Sequence, residues 1–403
     1  MKHIPELTGI RFFMAFVVVA SHFNASFNFI PNLYTNLLGT LTRLAVSFFF
    51  VLSGYILTYV YFDALPKINL YTFFWSRFCR VFPVFFAVML LMIPIRLTFI
   101  LTAPEYALLT YKITLNDPIL TLSWLSNLFL FTVFIPILNP WLHFWNPPSW
   151  ALTAEVFFYM IFPFSIIFLR KLNRKQLIIL CVTFWGLLSV LTLAFYSIVM
   201  LINVDGLPQW FITSLYPGKR VLSEDAIRGL TLTYLVYLLP FLRCLEFLIG
   251  CVLGCVFLNL KAQKKLPNFL ARNLLLIISV LLFYLAYTTS NLRGNLMGLQ
   301  IYAIYLPSVC VGIFSIGSGT TIASSILANP LIIFLGKSSY SLYISHFAIM
   351  AIHQNLAHIG IDFPKGYYLF FVGISLLFGI LLYYFVESPS QVFLKRVGKL
   401  NSN

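Results

Sequence analysis

Charged residues are scarce in this sequence, and acidic residues are the scarcest. Only 9% of the 403 residues are charged, with 11 Asp and Glu against 26 Lys and Arg. Hydrophobic residues make up 61% of the chain, and the mean hydropathy is +0.93. Soluble domains usually carry about a quarter charged residues. The composition therefore excludes a soluble globular protein and predicts an all-α polytopic membrane protein.

The sequence also lacks the signs of disulfide bonding, metal binding or modular organisation. Its six cysteines nearly all lie in apolar segments, and no histidine near Cys251 and Cys255 completes a metal site. We interpret the cysteines as small buried hydrophobes and expect no metal. No repeat, low-complexity tract or linker divides the chain, so we interpret 1–403 as a single integral membrane domain.

The formal net charge of +15 would suit a nucleic-acid partner in a soluble protein. In a membrane protein, basic residues at loop ends have a simpler role, because they orient the helices during insertion. We therefore expect these basic residues to contact the lipid bilayer, and we expect no nucleic-acid partner.

Ten apolar runs are long enough to cross a bilayer. They lie at 7–30, 42–62, 81–101, 150–169, 176–202, 230–260, 272–290, 298–318, 329–355 and 368–388. An eleventh run, 118–138, is interrupted by polar residues and a proline. If it crossed, the basic clusters at 170–175, 261–272 and 395–399 would face outward, against the positive-inside rule. We predict about ten transmembrane helices around a polar cavity, both termini in the cytoplasm, and 118–138 re-entrant or along the outer face.

The first span carries two residues that do not suit lipid, Arg11 and His22. Eleven helical residues advance about 16 Å and end about 20° past three full turns, so both side chains share one face. Charged residues in spans usually face a bundle interior or a watery cavity. The alternative is that Arg11 snorkels to the headgroups and His22 is a hydrogen-bonded core residue.

Arg77 and Arg80 stand three residues apart at the start of the third span. Two guanidinium groups on one helix face suit a phosphate-bearing ligand, although topological anchoring and lipid headgroups explain them equally well. In the second span, Ser53 and Gly54 permit close approach of a ligand or of another helix. Arg96 is expected to snorkel at the outer interface.

Glu155 follows a helix start at Pro148 and Ser149 and lies about a turn and a half into the membrane. A buried carboxylate needs a cationic or hydrogen-bonding partner, or it protonates. Arg243 and Glu246 are three residues apart and either pair with each other or shape a cavity.

A hydroxyl-rich segment includes Ser341 and Tyr343 and ends in a second intramembrane histidine, His346. It either lines a polar cavity or bonds its own helix carbonyls. Glu387, at the end of the last run, is interpreted as an interfacial cap.

Six motifs, taken in chain order, resemble the membrane acyltransferase-3 family. They are Arg11 with His22, Phe49–Tyr55, Arg77-x-x-Arg80, Ser149-Trp150-x3-Thr153-x-Glu155, Arg243-x-x-Glu246-Phe247-x-x-Gly250 and Ser339-Tyr340-Ser341-Leu342-Tyr343-x-x-His346. The similarity continues to Glu387-x-Pro389 and so covers nearly the whole chain. The chain departs from the commoner pattern at Trp150-Ala151, where Trp-Ser-Leu is usual.

The resemblance implies an O-acyltransferase of the bacterial inner membrane. Members take an acyl group, usually acetyl, from cytoplasmic acyl-CoA and transfer it to hydroxyls of glycans such as lipopolysaccharide O-antigen, exopolysaccharide or capsule, or to small molecules. Because the sequence ends at Asn403, we expect the single-domain form without an SGNH-type hydrolase domain. No permanently bound cofactor is implied.

The same resemblance suggests roles for individual residues. His22 is the expected base or acyl relay, with Arg11 on the donor or the developing oxyanion and Glu155 orienting a cationic partner. Three residues are expected to bind the acyl-CoA donor: Arg77, Arg80 and Ser53. Five are expected to line the cavity: Arg243, Glu246, Ser341, Tyr343 and His346.

Two other functions remain open at this point. Intramembrane Arg, His and Glu also serve proton-coupled transporters and exporters, although these often show inverted repeats or paired broken helices that the sequence lacks. A small-molecule, macrolide-type acyltransferase also fits. The sequence leaves open the acceptor hydroxyl, the acyl chain, the oligomeric state, and whether transfer is direct or uses a covalent acyl-enzyme.

Overall fold

The computed structural model describes residues 4–27, 29, 37–64, 69–111, 113–115, 118–135, 138–201, 224–291 and 302–400. In these ranges the secondary structure consists of helices joined by turns and irregular segments, with no β-strand. The predicted all-α fold of a polytopic membrane protein is confirmed.

Seventeen α-helices occur in the described ranges. They are α1 Pro5–Phe27, α2 Gly39–Tyr61, α3 Leu70–Thr102, α4 Pro104–Tyr111, α5 Pro118–Leu128, α6 Asn139–Trp145, α7 Ser149–Leu169, α8 Arg174–Leu201, α9 Glu224–Leu232, α10 Pro240–Ala262, α11 Phe269–Asn291, α12 Leu306–Gly317, α13 Ser324–Leu327, α14 Pro330–Lys337, α15 Ser339–His358, α16 Tyr368–Leu382 and α17 Ser388–Leu400. Short 3₁₀ segments lie at Tyr302–Tyr305 and Lys365–Tyr367, and π-helical segments at Thr233–Leu238 and Tyr383–Glu387.

Eight helices of the described chain are long and apolar enough to cross a membrane. Seven are α1, α2, α3, α7, α8, α10 and α11, and the eighth is the continuous stretch Lys365–Gly398. Helix α15 has 20 residues, enough for about 30 Å, but is more polar than these. The count of about ten spans and the side on which the termini lie stay predictions.

Two predicted runs are divided in the structure. Run 230–260 is interrupted at Leu239, where the π-helical segment ends and Pro240 begins α10. Proline lacks the amide hydrogen of a continuing helix and suits the first position of a new one. Run 329–355 is divided at Ser338 into α14 and α15.

The interrupted run 118–138 forms the short helix α5 and the turns that follow it. Eleven residues rise only about 16 Å, about half of the hydrocarbon thickness. This helix alone is too short to cross the membrane. Residues 136–137 lie outside the described residues.

Glycines bring pairs of helices into direct backbone contact. A Cβ at Gly54 of α2 would collide with the carbonyl oxygen of Phe247, and one at Gly250 of α10 with that of Val51. Small residues at such contacts are typical of membrane helix packing. Likewise, a Cβ at Gly9 of α1 would collide with the carbonyl oxygen of Leu327. Gly54 therefore serves helix packing, one of the two uses open to it from the sequence.

Candidate active site

A cavity of about 300 Å³ lies between α1, α2, α3, α7 and α15. Most of its wall is apolar, including Phe49, Phe50 and Leu57. Six residues predicted from the sequence as site residues lie on the wall: Arg11, Ser53, Arg77, Arg80, Glu155 and Tyr343. Three of these helices, α1, α3 and α7, thus bring one glutamate and three arginines to a single, mostly apolar space.

Arg77 is fixed by aromatic side chains. Its Nη2 donates a hydrogen bond to Tyr61 Oη at 3.0 Å, and its Nε donates to Ser76 Oγ at 3.3 Å. The guanidinium carbon is 5.3 Å from the centroid of the Tyr61 ring and 5.9 Å from that of Tyr159. Such contacts orient an arginine without neutralising its charge. Arg77 is therefore held ready for an anion.

Glu155 is partly buried and has a hydrogen-bond donor and two cations as its neighbours. The Tyr159 hydroxyl, one helical turn further along α7, donates a hydrogen bond to Glu155 Oε1. Arg11 and Arg80 both interact electrostatically with Glu155. The i, i+4 spacing of Glu155 and Tyr159 was visible in the sequence, but the tyrosine was not identified as a site residue.

Glu387 is a second carboxylate of this network, and its interpretation as an interfacial cap is wrong. Glu387 is only 5% exposed, and its Oε2 accepts a 2.6 Å hydrogen bond from Ser341 Oγ. It also interacts electrostatically with Arg11 and Arg80. The reason is that α17 continues directly from the π-helical segment and packs on α3, so residue 387 lies inside the bundle.

His22 and His346 form a pair next to the cavity. His22 Nδ1 lies 2.8 Å from His346 Nε2, and His346 Nδ1 lies 2.7 Å from the carbonyl oxygen of Tyr343. His346 is fully buried. Tyr343 connects the pair to the cavity, because it lines the cavity wall while its ring centroid is 6.1 Å from that of His346.

Arg243 and Glu246 pair with each other away from the cavity wall. Arg243 Nη1 is 2.6 Å from Glu246 Oε1, and both side chains have 0% exposure. Ser47 Oγ donates to the same carboxylate oxygen at 3.3 Å, and the guanidinium carbon is 4.2 Å from the Tyr237 ring centroid. The structure thus shows the pairing that the i, i+3 spacing suggested.

Of the five residues expected to line the cavity, Tyr343 is on the wall described here. The other four are buried in its surroundings: Arg243, Glu246, Ser341 and His346. Ser341 supports Glu387, and His346 contacts His22.

Arg96 does not snorkel, contrary to the expectation. It is 1% exposed, and its guanidinium carbon lies 5.8, 5.1 and 5.4 Å from the ring centroids of Phe99, Phe144 and Phe347. Phe144 and Phe347 are distant from Arg96 in the sequence, so no local sequence pattern predicts that these three rings surround the guanidinium group. Each cation–π contact with a desolvated guanidinium is worth about 2 kcal/mol or more.

Comparisons with known proteins agree with the motifs. A family model of the acyltransferase domain matches residues 4–384. A Staphylococcus aureus (strain COL) protein, provisionally named an O-acetyltransferase, is 25% identical over 402 residues, which cover 96% of this chain and 57% of that protein. Acyltransferase MdmB of Streptomyces mycarofaciens is 24% identical, covering 98% of this chain and 93% of that protein.

O-acetyltransferase OatA of Staphylococcus aureus (strain NCTC 8325) is 23% identical over 96% of this chain and 57% of its own length. The chain therefore spans a little over half the length of the Staphylococcus relatives. No solved structure matches the chain significantly.

Proposed function

The chain belongs to the acyltransferase-3 family of membrane proteins, and on that basis and the cavity we propose that it is an O-acyltransferase with acyl-CoA as donor. The proposed acceptor is a hydroxyl of a cell-surface glycan or lipid-linked saccharide, and the proposed acyl group is acetyl or another short chain. The proposed location is the bacterial cytoplasmic membrane.

One observation carries the proposal: Tyr343 lies on the wall of a cavity lined by arginines, and its ring is 6.1 Å from that of His346, the partner of His22. Acyl transfer from CoA needs cations for the donor phosphates and a base for the acceptor hydroxyl. The two kinds of group meet here within one bundle of helices.

Arg77 and Arg80 are the proposed contacts of the donor phosphates. Guanidinium groups bind phosphate oxygens through paired donors, and Arg77 is already oriented by Tyr61. Lys395 of α17 interacts electrostatically with both arginines and adds a third positive charge nearby. Beside them, Ser53 lines the cavity, whose volume falls at the lower end of ligand pockets and suits an acyl-pantetheine arm.

His22 is the proposed general base, because imidazole exchanges protons near neutral pH. It accepts the proton of the acceptor hydroxyl while the hydroxyl oxygen bonds to the thioester carbon. The carbon–sulfur bond then breaks, and the proton passes from His22 to the departing CoA thiolate. Arg11 stabilises the negative oxygen that develops on the acyl carbon, an effect worth about 3 kcal/mol where water is excluded. The proposed role of Glu155 is to orient Arg11 and Arg80 through the attraction between their charges.

Purified protein in lipid nanodiscs, given radiolabelled acetyl-CoA and an acceptor glycan, tests the proposal. His22→Ala should lose roughly 100-fold or more in acyl transfer, the range of general acid–base catalysis, while still binding CoA. Arg77→Ala and Arg80→Ala should weaken CoA binding, whereas Arg396→Ala, at an exposed position of α17, should not.

Two results would overturn the proposal. Substantial transfer by His22→Ala removes the base role, and absence of acyl-CoA binding by the intact protein favours a proton-coupled exporter. Mass spectrometry of surface glycans from cells with and without the gene separates a glycan acceptor from a small-molecule acceptor.

A further inference from the structure

We propose that His346 is a positioning residue that fixes the tautomer of His22, leaving the lone pair of His22 Nε2 free to accept a proton. This inference rests on the proposed function, because it concerns how the base is prepared. The juxtaposition that carries it is the chain of contacts from the Tyr343 carbonyl through His346 to His22.

The tautomer of His346 follows from its carbonyl partner. A backbone carbonyl oxygen only accepts hydrogen bonds, so His346 Nδ1, at 2.7 Å from Tyr343 O, must carry the hydrogen. In a neutral imidazole the other ring nitrogen is then an acceptor. His346 Nε2 therefore presents a lone pair to its neighbour.

The tautomer of His22 follows in turn. His22 Nδ1 lies 2.8 Å from the accepting His346 Nε2, so it must donate the hydrogen. The neutral His22 ring then keeps no proton on Nε2, and that nitrogen can act as a base. The carbonyl oxygen of Tyr343 therefore sets the donor-to-acceptor direction of both hydrogen bonds.

The opposite direction is unfavourable at this site. If His22 Nδ1 accepted, His346 would carry hydrogens on both nitrogens and a positive charge. His346 is fully buried, and its hydrogen-bond partners among the described residues are His22 and the carbonyl of Tyr343, neither of which is a carboxylate. A desolvated cation without a counter-ion costs several kcal/mol. The favoured arrangement therefore has two neutral imidazoles, with His22 Nδ1 donating to His346 Nε2.

Positioning matters more for His22 than for His346. His22 is only half-buried, so without a partner its ring would sample both tautomers and other orientations. In triad enzymes the group that bonds histidine Nδ1 performs the same task, and the wrong tautomer there costs about 10⁴-fold in kcat. Here the partner is a neutral imidazole, which supplies orientation without a counter-charge.

Two amide substitutions of His346 form a matched pair. The side-chain oxygen of Gln reaches the position of Nε2, so His346→Gln keeps an acceptor for His22. The shorter side chain of Asn reaches only the position of Nδ1, so His346→Asn keeps the contact with Tyr343 O and leaves His22 without its acceptor. Both variants are polar, uncharged amides that differ by one methylene group.

Steady-state kinetics of acetyl transfer in nanodiscs provide the readout. We expect His346→Asn to lower kcat by roughly 10- to 100-fold, as other partners that orient a functional histidine do. The KM for acetyl-CoA should change less than about twofold, because the donor phosphates are bound elsewhere, and His346→Gln should recover most of the loss. A general loss of folding would not lower kcat while leaving KM unchanged, and it would not be reversed by Gln in place of Asn.

Equal kcat for the Gln and Asn variants, or a loss expressed in KM, overturns the inference. Failure of both variants to insert and fold also overturns it, since it would assign His346 a structural role. A fully active His22→Ala sinks the proposed function itself, whereas an inactive His22→Ala beside a normal His346→Asn sinks only the role of His346.

Discussion

Individual buried charges in this protein are compensated in different ways. Arg243 and Glu246 form an ion pair at 2.6 Å, Arg96 is surrounded by three aromatic rings, and Arg11 and Arg80 both interact with two glutamates beside a cavity. A charge whose counter-ion lies on its own helix is neutralised within that helix. Charges that meet from different helices around an open space are the ones available to a ligand.

The Arg243–Glu246 pair gives a prediction for stability. Glu246→Gln should lower the free energy of unfolding by about 3–5 kcal/mol, because it leaves a fully buried guanidinium without its counter-ion. Reversible unfolding in mixed micelles measures this loss. Glu105→Gln, at an exposed position of α4, is the control and should change stability by about 0.5 kcal/mol or less.

Replacement of both partners sharpens the test. The double variant Arg243→Met, Glu246→Leu should recover most of the lost stability, since a well-packed apolar pair avoids the cost of desolvation. A double variant as unstable as Glu246→Gln would contradict a purely structural role of the pair.

At the level of the helices, close packing of α2 on α10 sets the position of the cavity wall. Gly54 contacts the backbone of α10, while its neighbour Ser53 faces the cavity. Any widening of this contact therefore moves one wall of the proposed donor site. The glycines of α10 and α2 thereby connect stability to binding.

Gly54→Ala should destabilise the protein by about 1–3 kcal/mol, the usual cost of overpacking, because the added methyl would meet the carbonyl of Phe247. Thermal unfolding in detergent measures the change. The matched control is Gly186→Ala on α8, where nothing lies within 4 Å of the added Cβ. That variant should be neutral or slightly more stable, owing to the helix propensity of alanine. Equal effects of the two substitutions would refute the packing role of Gly54.

For the whole molecule, orientation in the membrane decides which substrate reaches which end of the cavity. Arg11 near the start of α1, Arg77 and Arg80 near the start of α3, and Lys395 in α17 all belong to the side that the positive-inside rule places in the cytoplasm. Acyl-CoA is a cytoplasmic metabolite, so this orientation presents the arginines to the donor.

Reporter fusions test the orientation. A fluorescent protein attached after Asn403 should fluoresce, and alkaline phosphatase inserted within 203–229 should be active outside, because the basic clusters at 170–175, 261–272 and 395–399 hold their loops in the cytoplasm. Cell fluorescence and phosphatase assays report the two sides. The reverse pattern would place the arginine end of the cavity outside and contradict acyl-CoA as a donor bound there.

By itself, the sequence determined the class of the molecule and most of its chemistry. Scarce charge and long apolar runs specify membrane helices, because hydrocarbon admits few polar groups. The few residues that break this rule are conspicuous, so Arg11, His22, Arg77, Arg80 and Glu155 stood out from the sequence alone.

Tertiary structure alone decided how these residues are grouped. Arg11 and His22 share one helix, yet Arg11 lines the cavity while His22 pairs with His346, 324 residues away. Glu387 proved to be buried with Ser341 because α17 packs back on α3. Helical periodicity specifies the face on which a side chain lies. Only the packing of helices distant in sequence specifies which partner that face meets.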